Sequence, residues 1–452
     1  MKKQSLNHNI AFEISPLLLA SGKFGDKSGV YRYIYGLIMA MEKKISEKND
    51  HSKIILFSFN RNLLSQPLNI DIIDLIGKER IILLNKFSEF CDEPKLGSFA
   101  QELISELLII KQLAKLLNKL FNIKNIYNIL REKVHFQTYL DYLDAEFKKS
   151  NVKTIFHSQT RFYPMKGYKN IATIYDLTPI LFPTFHRSET LELHRRKFVF
   201  AKRYCQGIIC ISQSTKNDLL NYCSSFKKKN IVIAYPGFDK ISKSLINKKT
   251  ELFNDIKMLL KKKSQTLVIN KYLLYFGTFE PRKNIINLVK SFVDLQEENE
   301  IPLDFKLVLI GGDGWGNIKK MISDYIKENF PIEKKCNIIM FDFLADKYLI
   351  SLISNAYATV YPSLYEGFGL PILESMALGT PVICSDNSSL PEVGGNAVLY
   401  TKNNFLDLKN KIKYLINNPE LAIKLSQKGL AQSKKFTWST TASKVYNFLL
   451  NI

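Results

Sequence analysis

The stretch Tyr361-Pro362-Ser363-Leu364-Tyr365-Glu366-Gly367-Phe368-Gly369-Leu370-Pro371-Ile372-Leu373-Glu374 carries the densest signal in the chain. A short apolar strand ends at Pro362 and a loop with two glycines follows. Pro371 then suits the first turn of a helix, where its missing N–H would have no partner anyway. Gly367 and Gly369 let the backbone approach a ligand closely, and a helix start offers unpaired N–H groups to phosphate. Glu374 is expected in the first turn of that helix, placed to accept hydrogen bonds from a vicinal diol such as a ribose. Glu366 sits on the loop itself. Two carboxylates beside a phosphate-binding turn repel the ligand unless they serve hydroxyl groups, so a nucleotide sugar fits better than a plain nucleotide. The bland alternative is a tight strand–helix turn in which Glu374 is a charge near a helix N-terminus.

Outward from this turn, strand-length apolar runs alternate with helical sequence along most of the chain. Ile10–Ile14, Lys53–Phe59, Thr154–His157, Ile171–Tyr175, Gly207–Ile211 and Ile231–Ala234 form a first series, with a helix over Tyr31–Glu42. A basic stretch from Lys240 to Lys263 reads as a surface linker or connecting helix. A second series follows: Tyr272–Phe276, Lys306–Ile310, Asn337–Phe341, Thr359–Tyr361 and Pro381–Cys384. Strands alternating with helices imply doubly wound parallel sheets, here twice over. The expected class is α/β, with two Rossmann-like domains facing each other across a cleft and the ligand at the carboxyl ends of the strands. The divisions expected are 1–238, 239–435 and a C-terminal helix over 436–452 that packs back on the first domain. Phe99–Val134 breaks the alternation. Leu103, Leu107, Ile110, Leu113, Leu117 and Leu120 recur at helical spacing opposite Lys111, Lys115 and Lys119. This helical insertion either packs on the first domain or lies on an anionic membrane surface.

Composition narrows the classes. With 46% hydrophobic and 23% charged residues, the 452-residue chain is neither disordered nor fibrous. The net charge of +22 favours anionic partners, although a Lys-, Asn- and Ile-rich composition weakens that pointer. The six cysteines are scattered, with no CxxC pair and no zinc spacing, which fits a reducing cytoplasm. Met1-Lys2-Lys3 looks like the start of a signal peptide, but Glu13 interrupts the apolar stretch that follows. No 18-residue apolar window is present, so no transmembrane helix is expected.

Gly277-Thr278-Phe279-Glu280-Pro281-Arg282-Lys283-Asn284 follows one strand and precedes a helix over Ile285–Phe292. Adjacent cations just past a strand end can neutralise a diphosphate; a solvated helix start is the plain alternative. Two look-alike motifs fail. Asp26 stands before Lys27 where a P-loop needs Gly, and Gly311-Gly312-Asp313-Gly314-Trp315-Gly316 lacks the Gly-x-Gly-x-x-Gly spacing of a dinucleotide fingerprint. The order of these elements, from Gly277–Asn284 through Gly311–Gly314 and Glu366-x7-Glu374 to Gly379-Thr380-Pro381-Val382, resembles the retaining GT-B glycosyltransferases of family 4. The similarity is strong over about 271–440. More loosely, Gly25 and Gly29 resemble that family's glycine loop. Phe156-His157-Ser158 and Tyr175-Asp176-Leu177-Thr178-Pro179 resemble segments of its polysaccharide mannosyltransferase branch. Tyr175 stands where that branch usually carries His, and Asn396 where the family usually has Asp.

The resemblance implies transfer of a hexose, with mannose the best guess, from a nucleoside-diphosphate sugar to a saccharide or lipid-linked acceptor in surface polysaccharide synthesis. It implies donor binding by Gly29, Gly277, Arg282, Lys283, Glu366, Gly367, Phe368, Gly369, Leu370 and Glu374. Glu366 would face the sugar hydroxyls and Glu374 the ribose. His157 and Asp176 join Arg282, Lys283 and Glu366 as the catalytic set. The leaving phosphate helps to deprotonate the acceptor, so no dedicated base is needed. Arg282, Lys283 and backbone N–H groups can stabilise the leaving diphosphate. No Asp-x-Asp element of metal-dependent transferases is present. No cofactor or metal is therefore expected, nor a nucleic-acid partner, and the cytoplasmic face of a membrane is the expected location. A GT-B sugar-nucleotide epimerase and a basic nucleic-acid-binding protein are the competing classes. The first would act on donor alone; the second leaves Glu366 and Glu374 without a purpose.

Overall fold

The computed structural model describes residues 5–20, 29–60, 70–82, 123–158, 162–238, 247–262, 265–329 and 337–452. Gly25, Lys111, Lys115, Lys119 and most of the expected 99–134 insertion lie outside them. The end of that insertion belongs to a helix over Ile123–Lys149. The chain forms two compact units: Met1–Thr173, Val199–Ile208 and Tyr446–Ile452 make one, and Ile174–Phe198 and Ile209–Val445 the other.

The first half supplies β1 (Asn9–Glu13), β2 (Ile54–Phe57), β3 (Val152–His157), β4 (Lys169–Ile174), β5 (Gly207–Cys210) and β6 (Asn230–Ile233). They form a sheet of order β2-β1-β3-β4-β5-β6. The strand order reverses where β1 pairs in parallel with both β2 and β3. Phe12 and Phe156 stack at 4.3 Å between ring centroids on this sheet. The last residues of the chain complete the first unit. Tyr446 Oη donates to Asp50 Oδ2 at 2.5 Å, and the same carboxylate accepts the Leu6 amide at 2.8 Å. Gly207 sits so close to Phe448 and Ile452 that an added Cβ would come within 2.9 Å of both side chains.

The second half supplies β7 (Tyr272–Phe276), β8 (Lys306–Ile310), β9 (Ile338–Phe341), β10 (Ala358–Tyr361), β11 (Val382–Ser385) and β12 (Leu399–Thr401). Its order is β12-β11-β10-β7-β8-β9, and all five pairings are parallel. The order reverses between β7 and β10. In open parallel sheets that is where the loops after two adjacent strands part and leave room for a ligand. The basic stretch expected as a linker contains a helix over Lys249–Lys261. Its Phe253, Ile256 and Leu260 pack with Tyr272, Leu274 and Phe276 of β7 and Val308 and Ile310 of β8. Period-3.6 apolar spacing places these side chains on one helix face.

Candidate active site

Arg282 and Lys283 stand on the loop after β7, and Glu366 on the loop after β10, so the two strands flanking the reversal deliver the site. Pro281–Lys283 is a single 3-10 turn, followed by Asn284 at φ 59° and the helix Ile285–Glu297. Left-handed Asn is tolerated because its short side chain can hydrogen-bond locally. The Leu364 amide donates to Arg282 O at 2.7 Å, tying the two loops together. Ser388 Oγ accepts the Glu366 amide at 2.9 Å, and Ser389 Oγ donates to Glu366 O at 2.9 Å. The backbone of the loop is therefore fixed from both sides.

The side chains converge. Arg282 Nη1 donates to Glu366 Oε2 at 2.9 Å and to Tyr365 O at 3.0 Å, while its Nε donates to Glu280 Oε2 at 2.8 Å. Lys283 Nζ donates to Glu366 Oε1 at 2.5 Å and to Tyr361 Oη at 2.6 Å, and Tyr361 Oη donates to Glu366 Oε1 at 3.0 Å. Two cations and two carboxylates thus cancel in a site where Lys283 is 6% and Glu366 7% exposed. Burial alone would raise the pKa of Glu366, but the Arg282 and Lys283 charges outweigh it and hold the carboxyl down at about 2. Burial and the neighbouring Arg282 pull the Lys283 pKa down, and burial pushes that of Glu280 up. An anion that replaced Glu366 on these cations would favour the charged form of Lys283 equally well.

Gly367 and Gly369 do what their residue type permits. A Cβ on Gly367 would lie 2.3 Å from Tyr175 O and 3.0 Å from Asp176 Cβ, and Gly369 has φ +104°. Thr215 Oγ1 donates toward Tyr175 O at 3.1 Å and Gly367 O at 3.3 Å. Gly277 takes φ +141° at the end of β7. Phe368 is buried, with its ring 5.9 Å from that of Tyr235, and Leu370 opens the helix Leu370–Ala377 with Pro371 in its first turn. Glu374 is buried on that helix but lies one turn later than the sequence suggested, because the helix begins at Leu370 and has no acidic residue in its first turn. Asp176 follows β4, and its Oδ1 accepts the Thr178 amide at 3.0 Å. Its charge also acts on Arg282.

Gly29 and His157 belong to the first unit, whereas Asp176, Gly277, Arg282, Lys283 and Glu366–Glu374 belong to the second. Gly29 is the first residue of the helix Gly29–Glu47. His157 Nε2 lies 2.8 Å from Asn170 Oδ1, and its ring stacks on Phe59 at 5.6 Å. Sequence reasoning missed Tyr361 and Glu280 as partners of the ion cluster, although both lie inside the stretches it singled out. It also missed Glu13 at the end of β1, which is 2% exposed and surrounded by hydroxyls. Ser15 Oγ and Ser158 Oγ donate to Glu13, and Ser58 Oγ lies 2.7 Å from Ser15 Oγ. These residues sit at the carboxyl ends of β1, β2 and β3, where the first sheet reverses its order. Only Glu13, as an acidic residue ending an apolar run, could have signalled this.

The comparisons with known proteins agree with this geometry. Residues 257–432 match the model of glycosyl transferases group 1. The chain is 26% identical over 298 residues to the O-antigen chain mannosyltransferase B of Escherichia coli, covering 65% of this chain and 73% of that protein. It is 25% identical over 290 residues to the serotype-specific mannosyltransferase WbdA of Escherichia coli, covering 61% of this chain but only 32% of WbdA. Among solved structures, sucrose-phosphate synthase from Thermosynechococcus elongatus aligns over 98% of this chain and 99% of its own, with TM-score 0.62 and 16% identity. At that identity the likeness speaks for the fold alone. Sheet order, charged cluster and relatives converge: residues 257–432 are a glycosyl transferases group 1 region on a GT-B fold, and the chain is a glycosyltransferase that resembles bacterial mannosyltransferases.

Proposed function

We propose that the chain moves a hexose, mannose being the best candidate, from a nucleoside-diphosphate sugar to a saccharide or lipid-linked acceptor, with retention at the anomeric carbon and without a metal ion. The paired cations Arg282 and Lys283, held at the reversal of the second sheet with Glu366, carry this reading. Charge grows on the diphosphate as it leaves, and fixed cations in a buried site stabilise it without reorganising. Glu366, held ionised, accepts hydrogen bonds from sugar hydroxyls, and Glu374 serves the ribose. Residues 1–238 would carry the acceptor side and 239–435 the donor. The mannosyltransferase names of the two relatives support the choice of sugar.

Thermal melting of the protein with GDP-mannose, UDP-glucose, GDP and UDP in excess EDTA tests this. One sugar nucleotide should stabilise the chain by about 3 kcal/mol at a hundredfold excess over its dissociation constant, with the chelator present. No stabilisation by any of them overturns the donor class. Stabilisation and turnover that vanish in EDTA and return with Mn²⁺ overturn the metal-free mechanism. Product formed from donor alone, without acceptor, would favour the epimerase.

We further propose that the enzyme works at the cytoplasmic face of a membrane, drawn there by its net charge of +22 and by Lys111, Lys115 and Lys119. Among the described residues no helix is long and apolar enough to cross a membrane. A lysine near an anionic leaflet contributes about 1 kcal/mol, enough for reversible attachment when several act together. Sedimentation with phosphatidylglycerol vesicles should fall with salt and weaken when the three lysines become Glu. Indifference to such vesicles at low salt overturns this location.

A further inference from the structure

After β4 the chain makes two short turns, Thr178–Leu181 and Pro183–Phe185, before the helix Ser188–Tyr204. Two polar atoms here are buried with no hydrogen-bond partner among the described residues, Thr178 Oγ1 and His186 Nε2, and Thr178 is only 1% exposed. Native structures rarely bury polar atoms unpaired, because each forfeits the hydrogen bonds it had with water. Both atoms belong to residues grouped around the Asp176 carboxylate. Its Oδ1 accepts the Thr178 amide at 3.0 Å, and its charge acts on His186 and on Arg282 of the ion cluster. Burial pulls the His186 pKa below its ordinary value, so the imidazole is neutral at neutral pH and its Nε2 can pair with a hydroxyl in either sense.

Aromatic side chains border the same turns. The Trp315 indole N–H donates to Phe185 O, and its ring lies 5.2 Å from that of His186. The Phe182 ring lies 5.4 Å from that of Tyr365, the residue before Glu366. A few convergent polar atoms among aromatic rings, beside a charged centre, are the composition of a small-molecule site. Trp315 stands on the Gly311–Gly316 loop, which the sequence singled out and the ion cluster leaves unused.

We propose that Thr178, His186 and Trp315 form a hexose subsite, in which Thr178 Oγ1 and His186 Nε2 bond sugar hydroxyls and the Trp315 ring covers the sugar's C–H face. This rests on the glycosyl-transfer reading above and adds specificity-determining residues to it. The hydroxyls belong either to the donor hexose or to the acceptor saccharide, and kinetics separate the two.

The test uses the full chain with GDP-mannose as donor, methyl α-mannoside as acceptor and GDP as a ligand without sugar. His186→Leu and Thr178→Val should each lower kcat/KM for one of the two sugars about tenfold, the loss of a single hydrogen bond, and leave GDP affinity unchanged. His186→Gln, which keeps a hydrogen-bonding end, should recover part of the loss. A rise in acceptor KM with unchanged donor hydrolysis assigns the subsite to the acceptor; a fall in donor hydrolysis assigns it to the donor. Should wild-type protein neither bind nor hydrolyse GDP-mannose, the mannosyl reaction fails and this inference with it. If the wild type is active and His186→Leu and Thr178→Val both keep kcat/KM for each sugar within about twofold, a water satisfies these atoms and the inference alone fails.

Discussion

Replacing Lys283 by alanine should slow sugar transfer by on the order of 10²-fold, the cost typical of removing one donor that stabilises charge in a transition state. The ammonium is held at 2.5 Å from Glu366 Oε1 and 2.6 Å from Tyr361 Oη, so its position is fixed before any ligand arrives. The same variant should lose stability. Removing one partner of a buried pair strands the other charge at about 3–5 kcal/mol, lessened here because Arg282 still donates to Glu366. The two losses separate in the double variant Lys283→Ala, Glu366→Gln, which should melt closer to wild type yet remain slow. Steady-state kinetics in both, with melting curves alongside, check the assignment. Near wild-type kcat/KM in the single variant would sink a diphosphate role for Lys283.

The second large effect concerns Glu13. Burial pushes its pKa from 4.5 to about 7, against the opposing pull of hydrogen bonds from Ser15, the Phe59 amide and Ser58. A carboxyl whose folded pKa exceeds its unfolded one favours folding in its protonated form. Its contribution is complete below pH about 4.5 and is lost as the pH rises through about 7. A shift of that size corresponds to about 3 kcal/mol. Glu13→Gln removes the titration while keeping the shape. The variant should therefore gain on wild type as the pH is raised, with little difference at pH 5 and a higher melting temperature at pH 8. A difference in melting temperature that does not change between these two pH values would contradict the buried, proton-holding carboxyl.

How far the sequence could be read follows from what kind of information each element needs. Tyr272–Phe276 and Lys306–Ile310 emerge with the bounds expected, because a strand covered on both faces is a continuous apolar run with polar ends. β12, Leu399–Thr401, was not anticipated: three residues at a sheet edge leave no run to detect. For Lys249–Lys261 a connecting helix was one of two readings and its packed face was not visible, because its lysines dominate the composition while Phe253, Ile256 and Leu260 carry the packing. In the site, Arg282, Lys283 and Glu366 were visible as charged residues beside glycines past strand ends. That Tyr361 would bond both Lys283 and Glu366 was not, since a tyrosine inside a strand reads as core. His186 gave no signal, and Thr178 stood in the Tyr175–Pro179 segment without a role of its own, because an unpaired atom is a property of three-dimensional surroundings rather than of residue type.

The bond between Tyr446 and Asp50 joins residues 396 positions apart within one unit. At ribosomal speeds of about 5–20 residues per second, roughly 20–80 s separate the synthesis of its two ends. Throughout that interval Asp50 waits for Tyr446, and from the time Gly207 is made the side of it that Phe448 and Ile452 will cover stays open. The portion of the enzyme that is translated first is therefore the one finished last, and chaperones have that long to act on it.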